Sequence, residues 1–189
     1  MIKRNLVVGL TGASGALATK LFLERSDWPV SLVVSKMGAA VYEQEVGPLS
    51  ALKKEAAEVW DDTDLMAPIA SGSVLTAGMV LLPCSINSLG KIAAGIADSL
   101  ITRAAHCHLK EGRKTIFCVR EAPWTLMNIR SAESVVLAGG TIMPLSPPFY
   151  MTKDQDPNSV SMTEILTHYV DHVLALLGQE ARKTWNDIR

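Results

Sequence analysis

The chain has 189 residues, 48% of them apolar, enough for one sizeable core and too few for two independent ones. Its formal net charge of -1, a pI near 6.4 and the lack of a basic block argue against nucleic acid or anionic membrane as the main partner, and toward a small molecule. No apolar run approaches the roughly 20 residues of a membrane span. Cys84, Cys107 and Cys118 lack CxxC spacing, so buried thiols in a reduced cytoplasmic setting are expected, with no metal.

In chain order, Lys3 and Arg4 before an apolar run imitate a signal peptide, but the run is short and breaks into glycines. Leu6 to Leu10 therefore reads as a first strand, followed by the turn Thr11 to Gly15 and a helix over Ala16 to Arg25. Pro29 to Val34 reads as a second buried strand ending at Ser35 and Lys36, with a helix over Met37 to Glu45. Ser50 to Val59 is a further amphipathic piece, closed by Asp61, Asp62 and Asp64, and Pro68 to Ser73 is a loop. Met79 to Pro83 is the next strand, and Leu89 to Ala105 has helical spacing with a break near Gly95. Thr115 to Val119 (strand), Trp124 to Leu137 (helix), Thr141 to Pro144 (strand) and Ser159 to Leu177 (helix) complete the order.

Continuously apolar strands separated by helices describe a parallel sheet covered on both faces. The expected fold is α/β, a three-layer Rossmann-like or flavodoxin-like sheet in a single domain over residues 1–178, with a tail over 179–189. Leu145 to Ser159 is irregular and reads equally as a lid or subunit contact and as a plain surface connection.

Two strand-to-helix junctions carry small hydroxylic residues: TGASG after the first strand, and PCSINS after Met79 to Leu82. Free amides at a helix start, the helix dipole and short hydroxyl donors together suit a phosphate, so both junctions point to one phosphate-bearing ligand at the carboxyl edge of the sheet. Arg120 directly follows IFCV and is expected at that same edge, able to hold phosphate oxygens by a bidentate fork or to pair with Glu121. Glu121 is either a proton-handling carboxylate or a helix-start carboxylate before Pro123. Lys110 and Arg113 bracket a turn at Gly112 and read first as a solvated helix end. His106 and His108, two apart, face opposite sides of a helix, which suits surface or interface histidines and not a joint metal site.

Seven segments in this order, GLTGASGA, VVSK, ASGS, GMVLLPCSINSL, DSLITRAAHCHLKEGRK, CVREAPW and PPFY, resemble the flavin prenyltransferase family of UbiX/Pad type along nearly the whole chain. The resemblance implies a metal-independent enzyme that joins a dimethylallyl unit from dimethylallyl monophosphate to N5 and C6 of reduced FMN. The prenylated FMN would serve a partner decarboxylase of UbiD type. It further implies FMN contacts at Gly12, Ala13, Ser14, Ser35, Ser85, Ile86, Asn87, Ser88 and Arg120. Lys110, Arg120 and Tyr150 would lie around the prenyl phosphate, Ser14, Glu45 and Glu121 beside the reacting flavin, and Arg103 at a ligand-side or interface position. A homo-oligomer, in the family a dodecamer, is expected.

Two departures matter. The family's arginine on the last helix aligns with His172, a mostly neutral imidazole in place of a permanent fork, with Lys153 as a substitute cation. Asn128 and Ile129 replace a His-Leu pair. The alternative reading they motivate is a non-catalytic FMN storage or delivery protein. A third is a flavin-dependent peptidyl-cysteine decarboxylase, for which PCSINS is a poor match.

Overall fold

Runs of aliphatic and β-branched residues with no polar face can be satisfied only inside a sheet covered on both sides, and that is where the computed structural model places them. It describes residues 5–152, 156, 158–182, 184 and 187. The strands are β1 (Leu6–Leu10), β2 (Val30–Val34), β3 (Glu58–Asp61), β4 (Gly78–Cys84), β5 (Thr115–Val119) and β6 (Thr141–Ile142). They pair in parallel throughout in the order β3-β2-β1-β4-β5-β6. The order reverses between β1 and β4, and a sheet of this kind opens a ligand crevice at the carboxyl ends of those two strands.

Strand alternation splits the core in two. Leu6, Val8 and Leu10 of β1 face one cluster with Phe22 of α1 (Leu17–Arg25) and Tyr169, Val170 and Val173 of α7 (Met162–Leu177). Val7 faces the other, with Leu89 of α4 (Ile86–Ala93), Leu100, Ile101 and Ala104 of α5 (Leu100–Lys110) and Val135 of α6 (Leu126–Leu137). Helices α2 (Lys36–Glu45) and α3 (Leu49–Glu55) add Tyr42 and Leu52 to the first cluster. Gly38 lets α2 lie directly against β1: a Cβ there would stand 2.3 Å from the Leu10 carbonyl.

The first face is closed by charge as well as by packing. Arg25 of α1 grips Asp171 of α7 through Nε to Oδ1 at 2.6 Å and Nη2 to Oδ2 at 2.7 Å. Past Gly178, Gln179 is buried; its Oε1 accepts from the Asp27 amide and its Nε2 donates to Ser26, so the start of the tail docks on the α1–β2 corner.

The structure corrects the expectation at three places. The single amphipathic piece Ser50 to Val59 is the helix α3 followed by a mostly exposed edge strand, β3, whose carboxyl end supplies Asp61 and Asp62. The break expected near Gly95 does form, at φ +79, but the helical stretch it divides is wider than Leu89 to Ala105: α4 begins at Ile86 and α5 ends at Lys110. His108 is no surface residue. At 1% exposure its Nδ1 donates to the Ala104 carbonyl at 2.7 Å and its Nε2 accepts the Thr76 hydroxyl at 2.7 Å. It thereby ties α5 to the loop before β4.

At the switch point, the buried Thr11 hydroxyl donates to the Pro83 carbonyl at 2.9 Å and accepts the Ser85 amide at 2.7 Å. One side chain thus joins the end of β1 to the β4–α4 turn. Thr11→Val keeps the shape and leaves both backbone groups without that partner. It should lower stability by about 1–3 kcal/mol in urea denaturation.

Burial holds the His108 imidazole below its ordinary pKa, with the Arg113 charge acting the same way and the Ala104 bond opposing. The unfolded chain then binds the proton more readily, so His108 contributes stability above the unfolded value of about 6.5 that is lost as pH falls below it. Between pH 7.5 and 5.5 the urea midpoint should drop, and in His108→Gln the drop should be smaller from a lower starting midpoint.

Candidate functional site

The switch-point cleft measures ≈ 580 Å³ and lies where three helices begin and a fourth is approached by a turn. Ser35 opens α2, its hydroxyl accepting from the Gly38 amide at 3.0 Å, and Ser85 opens α4, its hydroxyl accepting from the Ser88 amide at 3.2 Å. The two serine side chains of the α4 turn also bond one another, Ser85 to Ser88 at 3.0 Å. Ser99 and Thr102 form a reciprocal capping box at the start of α5. The turn Gly12–Ala13–Ser14 precedes α1. Each helix start presents first-turn amides with no partner inside its own helix, and their dipoles add at the cleft.

These helix starts are not equally open. Glu45, at the end of α2, reaches back so that one carboxylate oxygen accepts from the Gly15 amide at 2.9 Å and the Ala16 amide at 2.8 Å. Gly15 has φ +96, and a Cβ there would stand 2.2 Å from the Leu145 side chain, so the turn requires glycine. Asp62 saturates α5 in the same manner, its carbonyl accepting from Leu100 at 2.7 Å and its Oδ1 from Ile101 at 2.8 Å. The start of α4, with the Ile86 and Asn87 amides flanked by Ser85 and Ser88, is left facing the cleft.

Arg120 follows β5, its amide bonded to the Cys84 carbonyl at 3.1 Å. Its exposed guanidinium lines the cleft and has no partner among the described residues, so the alternative of an Arg120–Glu121 pair is not what forms. Glu121 instead uses Oε1 to accept the Ala122 amide at 3.0 Å and also lines the cleft. Lys36 supplies a second cation there. Lys91 supplies a third at the rim, where it bonds Asp98 at 2.6 Å and holds that carboxyl below its usual range. Beneath the floor, complete burial pushes the Cys118 thiol up to about 12 and Cys84 higher still, so both are inert neutral thiols.

Of the residues expected from sequence, Gly12, Ala13, Ser14, Ser35, Ser85, Ile86, Asn87, Ser88, Arg120 and Glu121 come together around this one cleft, and Glu45 braces its first turn. Four others stand elsewhere on the chain. Lys110 is at the end of α5 beside a pocket of ≈ 280 Å³ between α4, α5 and α6, 3.6 Å from Glu111. Arg103 donates through Nε to the Ala70 carbonyl at 3.1 Å, helping α5 hold the ASGS loop. Tyr150 lies on the 3-10 turn Phe149–Thr152, and His172 is exposed on α7. Lys153 lies outside the described residues.

Sequence reasoning missed Met37, Asp62, Lys91, Ser99 and Thr102 as cleft residues. A Ser-x-x-Thr spacing ahead of an apolar run was a readable cap signal for α5. Asp62 had none, because it acts on a helix 38 residues later through β3, an element with almost no apolar signature.

The chain matches the family model described as Flavoprotein over residues 1–146. It is 41% identical to the flavin prenyltransferase UbiX of Deinococcus radiodurans over 180 residues, 93% of this chain and 89% of that one. It is 35% identical to the flavin prenyltransferase UbiX of Escherichia coli (strain K12) over 176 residues, 90% of each. Among solved structures, AnUbiX in complex with FMN and dimethylallyl pyrophosphate superposes with TM-score 0.89 at 32% identity, covering 97% of this chain and 98% of that one. A dodecameric FMN-dependent UbiX-like decarboxylase from Escherichia coli O157:H7 gives 0.84 at 33%, covering 95% and 98%. With likeness of this extent along one domain and a cleft built from the matching segments, the protein belongs to the Flavoprotein family, among its UbiX-type flavin prenyltransferases.

Proposed function

We propose that the chain joins the dimethylallyl unit of dimethylallyl monophosphate to N5 and C6 of reduced FMN and releases prenylated FMN to a UbiD-type decarboxylase. The observation that carries this reading is the start of α4: two open amides, two hydroxyls and the partnerless Arg120 guanidinium on one cleft wall, a donor set that fits the phosphate of a flavin mononucleotide. Reduced FMN, when bound, supplies the nucleophilic positions that accept the prenyl unit.

The remaining chemistry belongs to side chains. Ser85, Ser88, Asn87 and the α4 amides would hold the ribityl phosphate, with Gly12, Ala13 and Ser35 along the nucleotide. Cleaving the allylic C–O bond puts charge on a leaving phosphate, which fixed cations stabilise without reorganising. Of the cleft's cations, Arg120 is assigned to that charge by resemblance, as are Tyr150 and His172. Glu121, with one carboxylate oxygen not engaged by Ala122, is placed to move a proton at the cleft edge. Glu45 positions Ser14 by bracing the turn at Gly15 and Ala16. Lys110 and Arg103 do not line their own chain's cleft, which supports a homo-oligomer, a dodecamer like the E. coli O157:H7 relative, in which they serve a neighbour's cleft.

His172 in place of arginine favours one other reading, a protein that stores or delivers FMN without catalysis. Incubating the protein with reduced FMN and either dimethylallyl monophosphate or the pyrophosphate, with a chelator present, separates the two by mass spectrometry. A flavin heavier by one prenyl unit is expected, with the monophosphate preferred. Tight FMN binding with no heavier product from either donor would favour storage.

Arg120→Ala should weaken FMN and donor binding by about 10- to 100-fold, the size of a lost charged hydrogen-bond set, measured by flavin fluorescence titration and donor KM. Glu45→Gln keeps an acceptor for the two amides and should bind FMN like wild type, whereas Glu45→Ala should bind it about fivefold more weakly.

A further inference from the structure

Three cations line the cleft, and they are held differently. The side chains of Arg120 and Lys36 have no hydrogen-bond or ion-pair partner among the described residues, whereas Lys91 is paired, its Nζ 2.6 Å from Oδ2 of Asp98. Asp98 does not itself line the cleft. It ends the short link after α4, one residue before Ser99, the cap of α5. The side chain of Lys91 is 36% exposed and that of Asp98 50%, and an ion pair so open to water contributes little and is screened by salt.

The place of Lys91 on α4 gives it a second use. Ile86 is the first residue of the helix, so Asn87 and Ser88 fall in its first turn. Lys91 follows them by four and three residues and therefore stands on the same face, one turn further along. Helical side chains lean toward the N-terminus, and the surface a residue covers lies over the turn before its own Cα. One turn is a rise of about 5.4 Å, a distance that the four-carbon stem of lysine spans. By turning its side chain away from Asp98, Lys91 brings its ammonium to an anion seated on the Ile86 and Asn87 amides, with no movement of α4. Among the cleft-lining residues of α4, Lys91 alone carries a charge.

We infer that Lys91 is a further phosphate-binding residue of the flavin site, and that it gives up Asp98 for the phosphate of FMN. The inference rests on the phosphate seat at α4 given under the proposed function, and adds to that seat a cation that changes partner. A phosphate near neutral pH carries close to two negative charges, and held on the helix-start amides it attracts the ammonium more strongly than one solvated carboxylate does. Asp98 is then a rival of the ligand for Lys91. A purely structural pair, clipping the α4–α5 link, would behave otherwise, because both of its members would support the cleft in the same direction.

The test titrates FMN and riboflavin, which lacks the phosphate, by flavin fluorescence into wild type, Lys91→Met and Asp98→Asn. Lys91→Met keeps an apolar stem and loses the charge; it should bind FMN about tenfold more weakly and riboflavin as wild type does, and Lys91→Arg should recover most of the loss. Asp98→Asn frees Lys91 and should bind FMN about two- to fivefold more tightly, again with riboflavin unchanged. Weaker binding of both flavins in both variants would identify a structural clip and overturn the inference. So would an unchanged FMN affinity in Lys91→Met, or an Asp98→Asn protein that binds FMN no more tightly than wild type. The reading beneath fails separately. A wild type that binds riboflavin as tightly as FMN seats no phosphate at α4, and both fall; a wild type that prefers FMN, weakened by Arg120→Ala but not by Lys91→Met, keeps the seat and discards Lys91.

Discussion

The hydroxyl of Thr11 sits between two chain segments 72 residues apart, giving a hydrogen to Pro83 and taking one from Ser85. Both backbone groups lie where the strand order of the sheet reverses, between β1 and β4. Because the bond reaches Ser85, it fixes the helix-start serine itself, and the Ser85–Ser88 pair then orients the rest of the α4 turn. The orientation of the cleft's main anion-binding wall is thus coupled to the pairing of the two central strands, so the wall needs no ligand to preorganise it.

Around this wall, the protein uses its own carboxylates to decide which helix starts remain available. Glu45 fills the amides ahead of α1 and Asp62 fills those of α5, each offering a negative group where the dipole favours one. A ligand anion entering the cleft meets an internal competitor at both places and none at α4. Arg120 lines the same cleft as that open place because β5 lies beside β4 and its end carries the side chain to the same edge.

The unequal finish of the two sheet faces bears on the same economy. One face is sealed within the chain by a half-buried fork and aromatic packing; the other ends in the apolar helix α6. Arg103, on the outer side of α5, already has a role within its own chain, holding the Ala70 carbonyl of the ASGS loop.

Apart from the exposed edge strand β3, the order of strands and helices was legible from the sequence, as were the two hydroxyl-rich junctions and Arg120 at a strand end, because each depends on local periodicity or on a helix-start preference acting within a few residues. The seven ordered segments likewise identified the family before any geometry. What the tertiary structure alone decided are the relations that span the sheet: Thr11 joining Pro83 and Ser85, Asp62 saturating α5, Glu45 closing α1, and His108 buried on Thr76. No local pattern encodes these, since each links residues separated by at least 29 positions and comes into being only when the parallel sheet brings distant segments together. The placement of Lys110 away from its own cleft is of the same kind: its segment was recognisable, but the direction in which α5 turns it is set by packing on the sheet.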